Sequence, residues 1–266
     1  HALVQHRVSG VSFDVAVFTN LSQDHLDYHG TLEEYFEAKA LLLKERLKET
    51  GVAVINLDDP MVERLLGEQT IGFSRQGHPK ARIRVLDEKL SLESIGLRVA
   101  IDGTSYELRS PLVGAFNVEN ILAALGVGIA LGIEPNVLVD GIAGVSAVPG
   151  RLERVSGPGE PLVVVDYAHT PDALDKALSV LRELTSNRVF CVFGCGGDRD
   201  PHKREPMGAV AGRIANAAIL TNDNPRTEDP KAIADAVIPG LLSAGMTESD
   251  ALGEDCFRVE LDRMNA

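Results

Sequence analysis

The sequence predicts an α/β protein with two domains, on three observations. Its 266 residues are 44% hydrophobic, which is enough apolar surface for two ordinary cores. In the first half, short apolar runs and segments with apolar residues at helical spacing are followed by a stretch in which apolar and polar residues alternate. In the second half, apolar runs and helical segments alternate regularly, which is typical of a parallel sheet. The pair Pro149 and Gly150 separates the two patterns, so we expect domains at 1–149 and 150–266.

The first domain opens with a strand and a capped helix. Val15 to Thr19 form an apolar run, which predicts a buried strand. A helix is predicted from Thr31 onward, because Thr31 and Glu34 fit a capping box and apolar residues then recur at helical spacing. Val52 to Ile55 are apolar again, so a second strand is predicted after the helix.

Hairpins and one long helix complete the first domain. Residues 81–108 alternate apolar and polar side chains around the turn residues Asp102 and Gly103, which predicts antiparallel strands. Asn117 to Leu131 have helical spacing, and Gly132 is predicted to end that helix.

The second domain is predicted as strands and helices in alternation. In order, these are the strand Leu162–Val165, the helix Pro171–Leu184, the strand Val189–Phe193, a helix near Met207–Ala215, the strand Ala218–Thr221 and the helix Pro230–Leu242. Ligands in parallel sheets bind beyond the carboxyl ends of the strands. We therefore expect the loops after the three strands to lie side by side at a site: Asp166–Thr170, Gly194–Asp200 and Asn222–Arg226.

Composition excludes several classes of function. The net charge of −13 and the pI near 5.0 argue against a nucleic-acid-binding protein, which needs a basic surface. Three cysteines without a CxxC pair suit a reducing compartment, so we expect a cytoplasmic protein. The sequence contains no apolar run of membrane-spanning length. We expect small-molecule substrates, no nucleic-acid or membrane partner, and a monomer.

The ends of the sequence suggest an internal piece of a longer chain. The first residue is His1 rather than Met, and Leu261 to Ala266 resemble the opening turns of a helix. We therefore expect further residues on both sides.

Two features of the first domain suggest metal chemistry. Residues 20–29 carry a dense group of Asp and His side chains directly after a strand, which suits a divalent cation; from composition alone, a polar loop that caps turns and the next helix is the favoured explanation. Lys39 lies on the apolar face of its helix, three or four residues from Tyr35 and Phe36. A buried lysine can act as a base or be carbamylated into an anionic metal ligand. Alternatively, its ammonium extends to solvent.

Asn117 and Asn120 lie one helical turn apart at the start of an apolar helix. Carboxamides donate and accept hydrogen bonds at once, as recognition of an adenine edge requires. Asn117 is also a suitable N-cap, which is the alternative explanation.

The second domain offers three candidates. Asp166 follows a predicted buried strand, where a carboxylate can bind ribose hydroxyls. The loop Gly194–Asp200 is rich in glycine but lacks the GxGxxG spacing, so it indicates only a close backbone approach. Asp223–Arg226 places an acid, an amide and a guanidinium on one turn stiffened by proline, which fits a zwitterionic amino acid. An ordinary Asn-Pro turn with a solvated arginine explains the same residues.

Together and in this order, these segments resemble the Mur ligase family, in particular its UDP-N-acetylmuramoyl-tripeptide synthetases. The resemblance covers nearly the whole chain, in HALVQHR (1–7), FTNLSQDHLDYHG (18–30), GAFNVEN (114–120), GRLE (150–153), VVVDYAHTPDAL (163–174), VFGCGGDRD (192–200) and DNPR (223–226). It implies a central mixed-sheet ATPase domain without its phosphate-loop part, and a truncated Rossmann-like carboxyl-terminal domain with a parallel sheet.

The resemblance also implies roles for residues in the first domain. Gln5 and Arg7 are similar to contacts of the UDP-muramoyl dipeptide. His25 is similar to the family's magnesium ligand and Lys39 to its carbamylated lysine. Asn117 and Asn120 would face the adenine of ATP.

In the second domain, Arg151 and Asp166 would contact the nucleotide. The residues expected to bind meso-diaminopimelate are Arg199, Asp223, Asn224, Pro225 and Arg226. Relatives that add lysine are expected to lack the arginine of the last turn, so Arg226 is the ground for expecting meso-diaminopimelate.

The implied activity is ATP-dependent ligation of meso-diaminopimelate to UDP-N-acetylmuramoyl-L-alanyl-D-glutamate through an acyl phosphate, with Mg²⁺ as cofactor. The sequence departs from the family because it contains no GxxxxGK[ST] phosphate loop, no uridine-binding domain and no Gly-Lys-Gly-His-Glu segment. We therefore expect the 266 residues alone to be inactive.

Other functions remain open from the sequence. Within the superfamily, the alternatives are a lysine-adding ligase and a ligase similar to folylpolyglutamate synthetase. From other classes, the alternatives are a metal-dependent hydrolase built on residues 24–29 and a non-catalytic nucleotide-binding fragment.

Overall fold

The computed structural model describes residues 2–21, 26–157 and 159–266, without the side chains of residues 26 and 27. The chain divides into two compact units, His1–Ala147 and Val148–Ala266. Each unit has its own hydrophobic core. The units are therefore described separately.

The first unit contains six strands and five helices among its described residues. The strands are β1 (Phe13–Phe18), β2 (Leu47–Asn56), β3 (Thr70–Ser74), β4 (Ile83–Leu90), β5 (Ile95–Ile101) and β6 (Thr104–Ser110). The helices are α1 (Leu26–His29), α2 (Leu32–Glu45), α3 (Pro60–Glu63), α4 (Phe116–Ala130) and α5 (Pro135–Ala143).

The six strands form one mixed sheet in the order β1-β2-β3-β4-β5-β6. Strands β1 to β4 pair in parallel, and β4, β5 and β6 pair antiparallel, which confirms the predicted hairpins. Asp102 and Gly103 connect the last two strands with φ of 48° and 86°. Positive φ at both residues is the geometry of the two-residue hairpin turn that best fits twisted strands.

Local sequence explains how α2 and α4 begin and end. Thr31 and Glu34 form both halves of the predicted capping box, with the Glu34 amide donating to Thr31 Oγ1 at 3.2 Å. Helix α4 follows the predicted range within one residue, and Gly132, with a φ of 74°, comes shortly after its end. Its residue Gly126 packs so closely on β2 that a Cβ there would lie 2.5 Å from Val54 Cγ1.

The second unit contains six further strands and four helices among its described residues. In order, these are β7 (Glu153–Arg154), β8 (Val164–Val165), α6 (Pro171–Leu184), β9 (Phe190–Phe193), a 3-10 turn (Pro201–Lys203), α7 (Arg204–Ile214), β10 (Ala217–Leu220), α8 (Pro230–Asp235), α9 (Ile238–Ser243), β11 (Thr247–Glu248) and β12 (Cys256–Val259). Four strands form a fully parallel sheet in the order β11-β12-β10-β9.

The structure corrects the prediction for the strand before Asp166. Strand β8 pairs antiparallel with β7 in a separate two-stranded sheet and does not join the parallel sheet. Val163 and Val165 are 50% and 48% exposed, so this apolar run is not a buried strand. An apolar run of four residues does not specify which strand it will pair with.

One further prediction was wrong near the end of the chain. The predicted helix 230–242 is divided into α8 and α9, because Pro239 lacks the amide that a continuous helix needs and its ring opposes helical geometry before it. Residues 261–266 form one turn with the bonding of a helix start, as predicted: the Ala266 amide donates to Asp262 O at 3.0 Å, and Asp262 Oδ1 accepts the Met264 amide at 2.9 Å. Strands β11 and β12 were missed, since two and four residues carry no clear period.

Candidate functional site

The carboxyl ends of β1 and β2 lie side by side in the first unit. Phe18 is paired with Ile55, so the residues that follow these two strands are neighbours. The Leu21 amide donates to Asp59 Oδ2 at 2.7 Å, and the other oxygen of Asp59 accepts the Met61 amide at 2.9 Å at the start of α3. The carboxylate of Asp59 thus fixes the segment that leaves β1.

Lys39 lies beside this segment. Its Nζ donates to Asn20 O at 3.4 Å and lies 4.7 Å from the ring centroid of Tyr35 and 5.8 Å from that of Phe18. Two aromatic faces and one carbonyl oxygen therefore surround the ammonium. The predicted metal ligand His25 lies outside the described residues, so its distance from Lys39 is not defined.

Asn117 and Asn120 are brought together at the start of α4. Asn117 is 4% exposed, its Nδ2 donates to Val113 O at 2.7 Å, and its Oδ1 accepts from Asn120 Nδ2 at 3.0 Å. The N-cap is Ala115, so the alternative explanation of Asn117 as an N-cap is wrong. Among the described residues, the Oδ1 of Asn120 has no hydrogen-bond partner and is available to a ligand.

A polar group that sequence reasoning missed lies at the ends of β2 and β3. Ser74, which is fully buried, and the Arg75 amide both donate to the carboxylate of Asp58. Glu119, next to Asn120, has its pKa raised by burial, while the positive charge of Arg75 opposes that rise. Ligands bind at the carboxyl ends of parallel strands. This rule would have indicated the group if residues 71–74 had been recognised as a strand.

Gln5 and Arg7 lie in a turn-rich segment before β1. Both side chains are exposed, and the Arg7 amide donates to Ala2 O at 2.9 Å. No described contact joins either side chain to the predicted metal or adenine residues.

Two of the three predicted loops meet in the second unit. The Gly197 amide donates to Asn224 O at 2.8 Å, and a Cβ at Gly197 would overlap the carbonyl oxygen of Pro225. A Cβ at Gly194 would overlap Thr221 O in the same way. The glycines therefore allow direct backbone contact between the loops, as their composition indicated.

Arg226 lies at the centre of this contact. Its φ is 50°, and its Nη1 donates to Gly197 O at 2.6 Å. Its other guanidinium donors have no partner among the described residues. Asp223 is paired with Arg263 at 3.4 Å, a residue that the sequence did not single out. Arg199 is exposed, and its Nη1 donates to Asp198 O at 3.2 Å.

Asp166 connects its own loop to the turn that carries Arg151. Its two carboxylate oxygens accept the amides of Leu152 and Ala168, each at 2.8 Å. The Tyr167 amide donates to Gly150 O at 2.7 Å, and the Arg151 guanidinium lies 5.4 Å from the Tyr167 ring centroid. The structure thus brings Arg151 and Asp166 together, and both oxygens of Asp166 accept hydrogen bonds from backbone amides.

The described part of the chain has neither a metal-binding cluster of side chains nor a membrane-spanning helix. No group of three or more His, Cys, Asp or Glu side chains gathers in a metal-binding arrangement there. No helix in that part is long and apolar enough to cross a membrane.

Comparison with known sequences identifies both units. The profile of the Mur ligase middle domain matches residues 1–128, and that of the Mur ligase glutamate ligase domain matches residues 150–255. The chain is 46% identical over 267 residues to the UDP-N-acetylmuramoyl-L-alanyl-D-glutamate--2,6-diaminopimelate ligase of Gloeobacter violaceus, covering 100% of this chain and 52% of that protein. It is 46% identical over 245 residues to the ligase of the same name from Streptomyces avermitilis, covering 90% and 48%.

Solved structures agree with the sequence relatives. A structure of a UDP-N-acetylmuramoyl-L-alanyl-D-glutamate--2,6-diaminopimelate ligase superposes with a TM-score of 0.66 at 39% identity, over 100% of this chain and 53% of that one. A MurF ligase from Thermotoga maritima in complex with ADP shares the fold at 20% identity, with a TM-score of 0.64 over 98% and 61%. This chain spans about half the length of the curated relatives it matches. With a Mur ligase middle domain followed by a Mur ligase glutamate ligase domain, the chain belongs to the Mur ligase family.

Proposed function

We propose that this chain supplies the middle and glutamate ligase domains of a cytoplasmic enzyme that uses ATP to join meso-diaminopimelate to UDP-N-acetylmuramoyl-L-alanyl-D-glutamate. The observation that carries the proposal is the turn at Arg226. One guanidinium nitrogen is held by Gly197 O, and the remaining donors are open to a carboxylate. The names of relatives that match 90% to 100% of this chain support the same reaction.

The amino-acid site would use both charges of the Asp223–Arg226 turn. A diaminopimelate carboxylate would pair with the free donors of Arg226, and Arg199 would add a second positive charge. Asp223 would accept an ammonium, exchanging its long contact with Arg263 for a closer one. Asn224 and Pro225 would shape the turn, because the Asn224 carbonyl is already engaged by Gly197.

Each domain carries candidate contacts to the nucleotide. Asn120 Oδ1 would accept the adenine amino group, and Asn117 would hold Asn120 in place for that contact. Arg151 would contact the phosphates, and Asp166 would act by fixing the turn that carries Arg151. Gln5 and Arg7 would contact the UDP-muramoyl dipeptide.

The reaction follows from the charges involved. The terminal carboxylate oxygen of the dipeptide forms a bond to the γ-phosphorus of ATP, and ADP leaves. The diaminopimelate amine then attacks the acyl carbon, phosphate leaves, and the amine loses a proton. Arg199 and Arg226 orient the diaminopimelate carboxylate for this second step, which is catalysis by positioning.

A magnesium ion, which would neutralise phosphate charge when bound, would be held by His25 and by Lys39 as its carbamate. An ammonium cannot ligate a metal, so the fit depends on this modification of Lys39. Lys39 Nζ lies near Asn20 O, two residues beyond the end of β1, so the modified group would lie near the carboxyl end of that strand. Intact mass measured in bicarbonate should show one added carbon dioxide that disappears in Lys39→Arg; an unchanged mass would argue against the carbamate.

The proposal is tested with the full-length protein that contains these domains. Tripeptide product, followed by mass, should require ATP, UDP-muramoyl dipeptide and meso-diaminopimelate together, with lysine and glutamate as competing amines. Lysine or glutamate as the preferred substrate would favour the lysine-adding or folylpolyglutamate-type ligase. Metal-dependent hydrolysis without ATP would favour a hydrolase, and nucleotide binding without product would favour a non-catalytic protein.

The 266 residues by themselves should not turn over. The sequence has no GxxxxGK[ST] loop to hold the γ-phosphate, and that loop is part of the proposed site. Phosphate release by the 266-residue chain that depends on both ATP and meso-diaminopimelate would contradict this.

A further inference from the structure

An ion pair between a buried arginine and a partly exposed glutamate lies next to the Arg226 turn in the sequence and in the fold. Arg204, the first residue of α7, is 5% exposed, and its Nη2 donates to both carboxylate oxygens of Glu228 at 2.8 Å. Glu228 in turn accepts the Asp198 amide on Oε1. One carboxylate thus connects the start of α7 to the loop that contains Asp198.

The connection continues into the Arg226 turn from the other side. The carboxylate of Asp198 accepts the Thr227 amide at 3.0 Å and the Thr227 hydroxyl at 2.8 Å. Asp198 and Arg226 both have a φ of 50°, a backbone conformation that residues other than glycine adopt only under local constraint. Contacts with Glu228 and Thr227 supply that constraint, because they hold both the amide and the carboxylate of Asp198 and fix Thr227, the residue after Arg226.

Lys203, the residue before Arg204, contacts the loop Asp166–Thr170. Lys203 Nζ donates to His169 O at 2.9 Å. Of these two consecutive side chains at the start of α7, Lys203 thus contacts the loop Asp166–Thr170 directly, and Arg204 reaches the loop Gly194–Asp200 through Glu228. Neither side chain belongs to the proposed substrate contacts.

We infer that Arg204 and Glu228 are positioning residues of the amino-acid site, whose ion pair fixes the Asp198 loop against the Arg226 turn. This inference rests on the proposed function. Loss of the pair releases the Asp198 amide and allows the two strained residues to relax, which moves the Arg226 guanidinium away from its productive position. The affinity for the amino acid then falls, whereas the adenine residues, in the other unit, keep their contacts.

The test uses full-length protein with Glu228→Gln and Arg204→Met. Glu228→Gln is nearly isosteric but replaces the charged acceptor of Arg204 and of the Asp198 amide with a neutral one, so it remains informative if Arg204→Met folds poorly. The control is Asp235→Asn, which removes an exposed ion pair with Lys231 on α8. We expect the KM for meso-diaminopimelate to rise about tenfold to a hundredfold in the two variants, with the KM for ATP and kcat nearly unchanged and the control at wild-type values.

Amide hydrogen exchange gives a second readout that does not depend on activity. The amides of Asp198 and Thr227 should exchange faster in both variants and at the wild-type rate in the control. Unchanged exchange, or KM values for ATP and amino acid that rise together, would overturn the inference. If wild-type protein forms no tripeptide, the proposed function fails, and the exchange rates still decide whether the ion pair holds the loops.

Discussion

Arg226 donates from Nη1 to the carbonyl oxygen of Gly197 at 2.6 Å, and this one contact joins the two loops that follow β9 and β10. The contact uses one of the five guanidinium N–H groups, so it orients the side chain and leaves hydrogen-bond donors for a ligand. The backbone of Gly197 approaches closely enough only because it has no Cβ. A glycine in one loop thus determines where an arginine in the other points.

Asp166 should act mainly as a connector of backbone segments. Replacing it with Ala removes the acceptors of the Leu152 and Ala168 amides, which should lower the free energy of unfolding by about 1–3 kcal/mol. Asp166→Asn keeps one acceptor oxygen, so its free energy of unfolding should lie between those of the wild type and of Asp166→Ala. The measurement is urea unfolding, together with hydrogen exchange at the two amides.

Asp172→Ala is the matched control for Asp166. Asp172 is exposed, and its pair with Lys176 lies on the surface of α6, so its loss should cost less than about 1 kcal/mol. Equal decreases in the free energy of unfolding for Asp166→Ala and Asp172→Ala would contradict the connecting role of Asp166.

Gly126→Ala should destabilise the first unit by about 1–3 kcal/mol, because the new methyl group would overlap Val54 on β2. Gly141→Ala provides the contrast: it is also helical, with nothing within 4 Å of the new Cβ, and should gain about 0.5–1 kcal/mol from helix propensity. Thermal unfolding of both variants checks this. Equal effects would show that α4 does not pack against β2 as described.

Cys191 should resist thiol reagents while the protein is folded. Burial in β9 raises the pKa of its thiol to about 12, so the reactive thiolate is scarce at about pH 8 and the sulfur is inaccessible. Cys195 and Cys256 are also buried. Iodoacetamide should label these cysteines only as the protein unfolds in urea. Rapid labelling of Cys191 in buffer would contradict the packing of β9.

The ion pair of Glu228 should make stability depend on pH. Donation from Arg204, and then from the Asp198 amide, holds the pKa of Glu228 below the ordinary value of 4.5. A lowered pKa stabilises the folded state above about pH 4.5, and the contribution is lost as the pH falls through the folded-state pKa.

Wild-type protein should therefore be more stable than Glu228→Gln near pH 7, and the difference should narrow below about pH 4.5. Urea midpoints measured across this range test the prediction. A difference that stays constant with pH would mean that the carboxylate charge does not contribute.

Local signals in the sequence were sufficient for several elements. The capping box at Thr31, the hairpin turn at Asp102 and the helix ending near Gly132 all depend on residues within one turn, and the structure confirms each. The Asp223–Arg226 turn was found in the same way, from the residues of a single loop.

Features that depend on distant partners could not be predicted. Nothing near Val164 indicates that β8 pairs with β7, because that pairing is set by tertiary contacts. The ion pair of Arg204 and Glu228 joins residues 24 positions apart, and neither belongs to a motif that was singled out. The roles of the site residues stay predictions, since they depend on ligands.

The most direct test of this account is the ratio of kcat/KM for meso-diaminopimelate to that for lysine, measured on full-length protein before and after Arg226→Ala. The wild-type ratio should strongly favour meso-diaminopimelate, because only that substrate has a second carboxylate for the free donors of Arg226. Arg226→Ala should reduce the ratio by about tenfold to a hundredfold through the loss of a charge-assisted hydrogen bond. An unchanged ratio in an active variant would contradict the assignment of the amino-acid site to this turn.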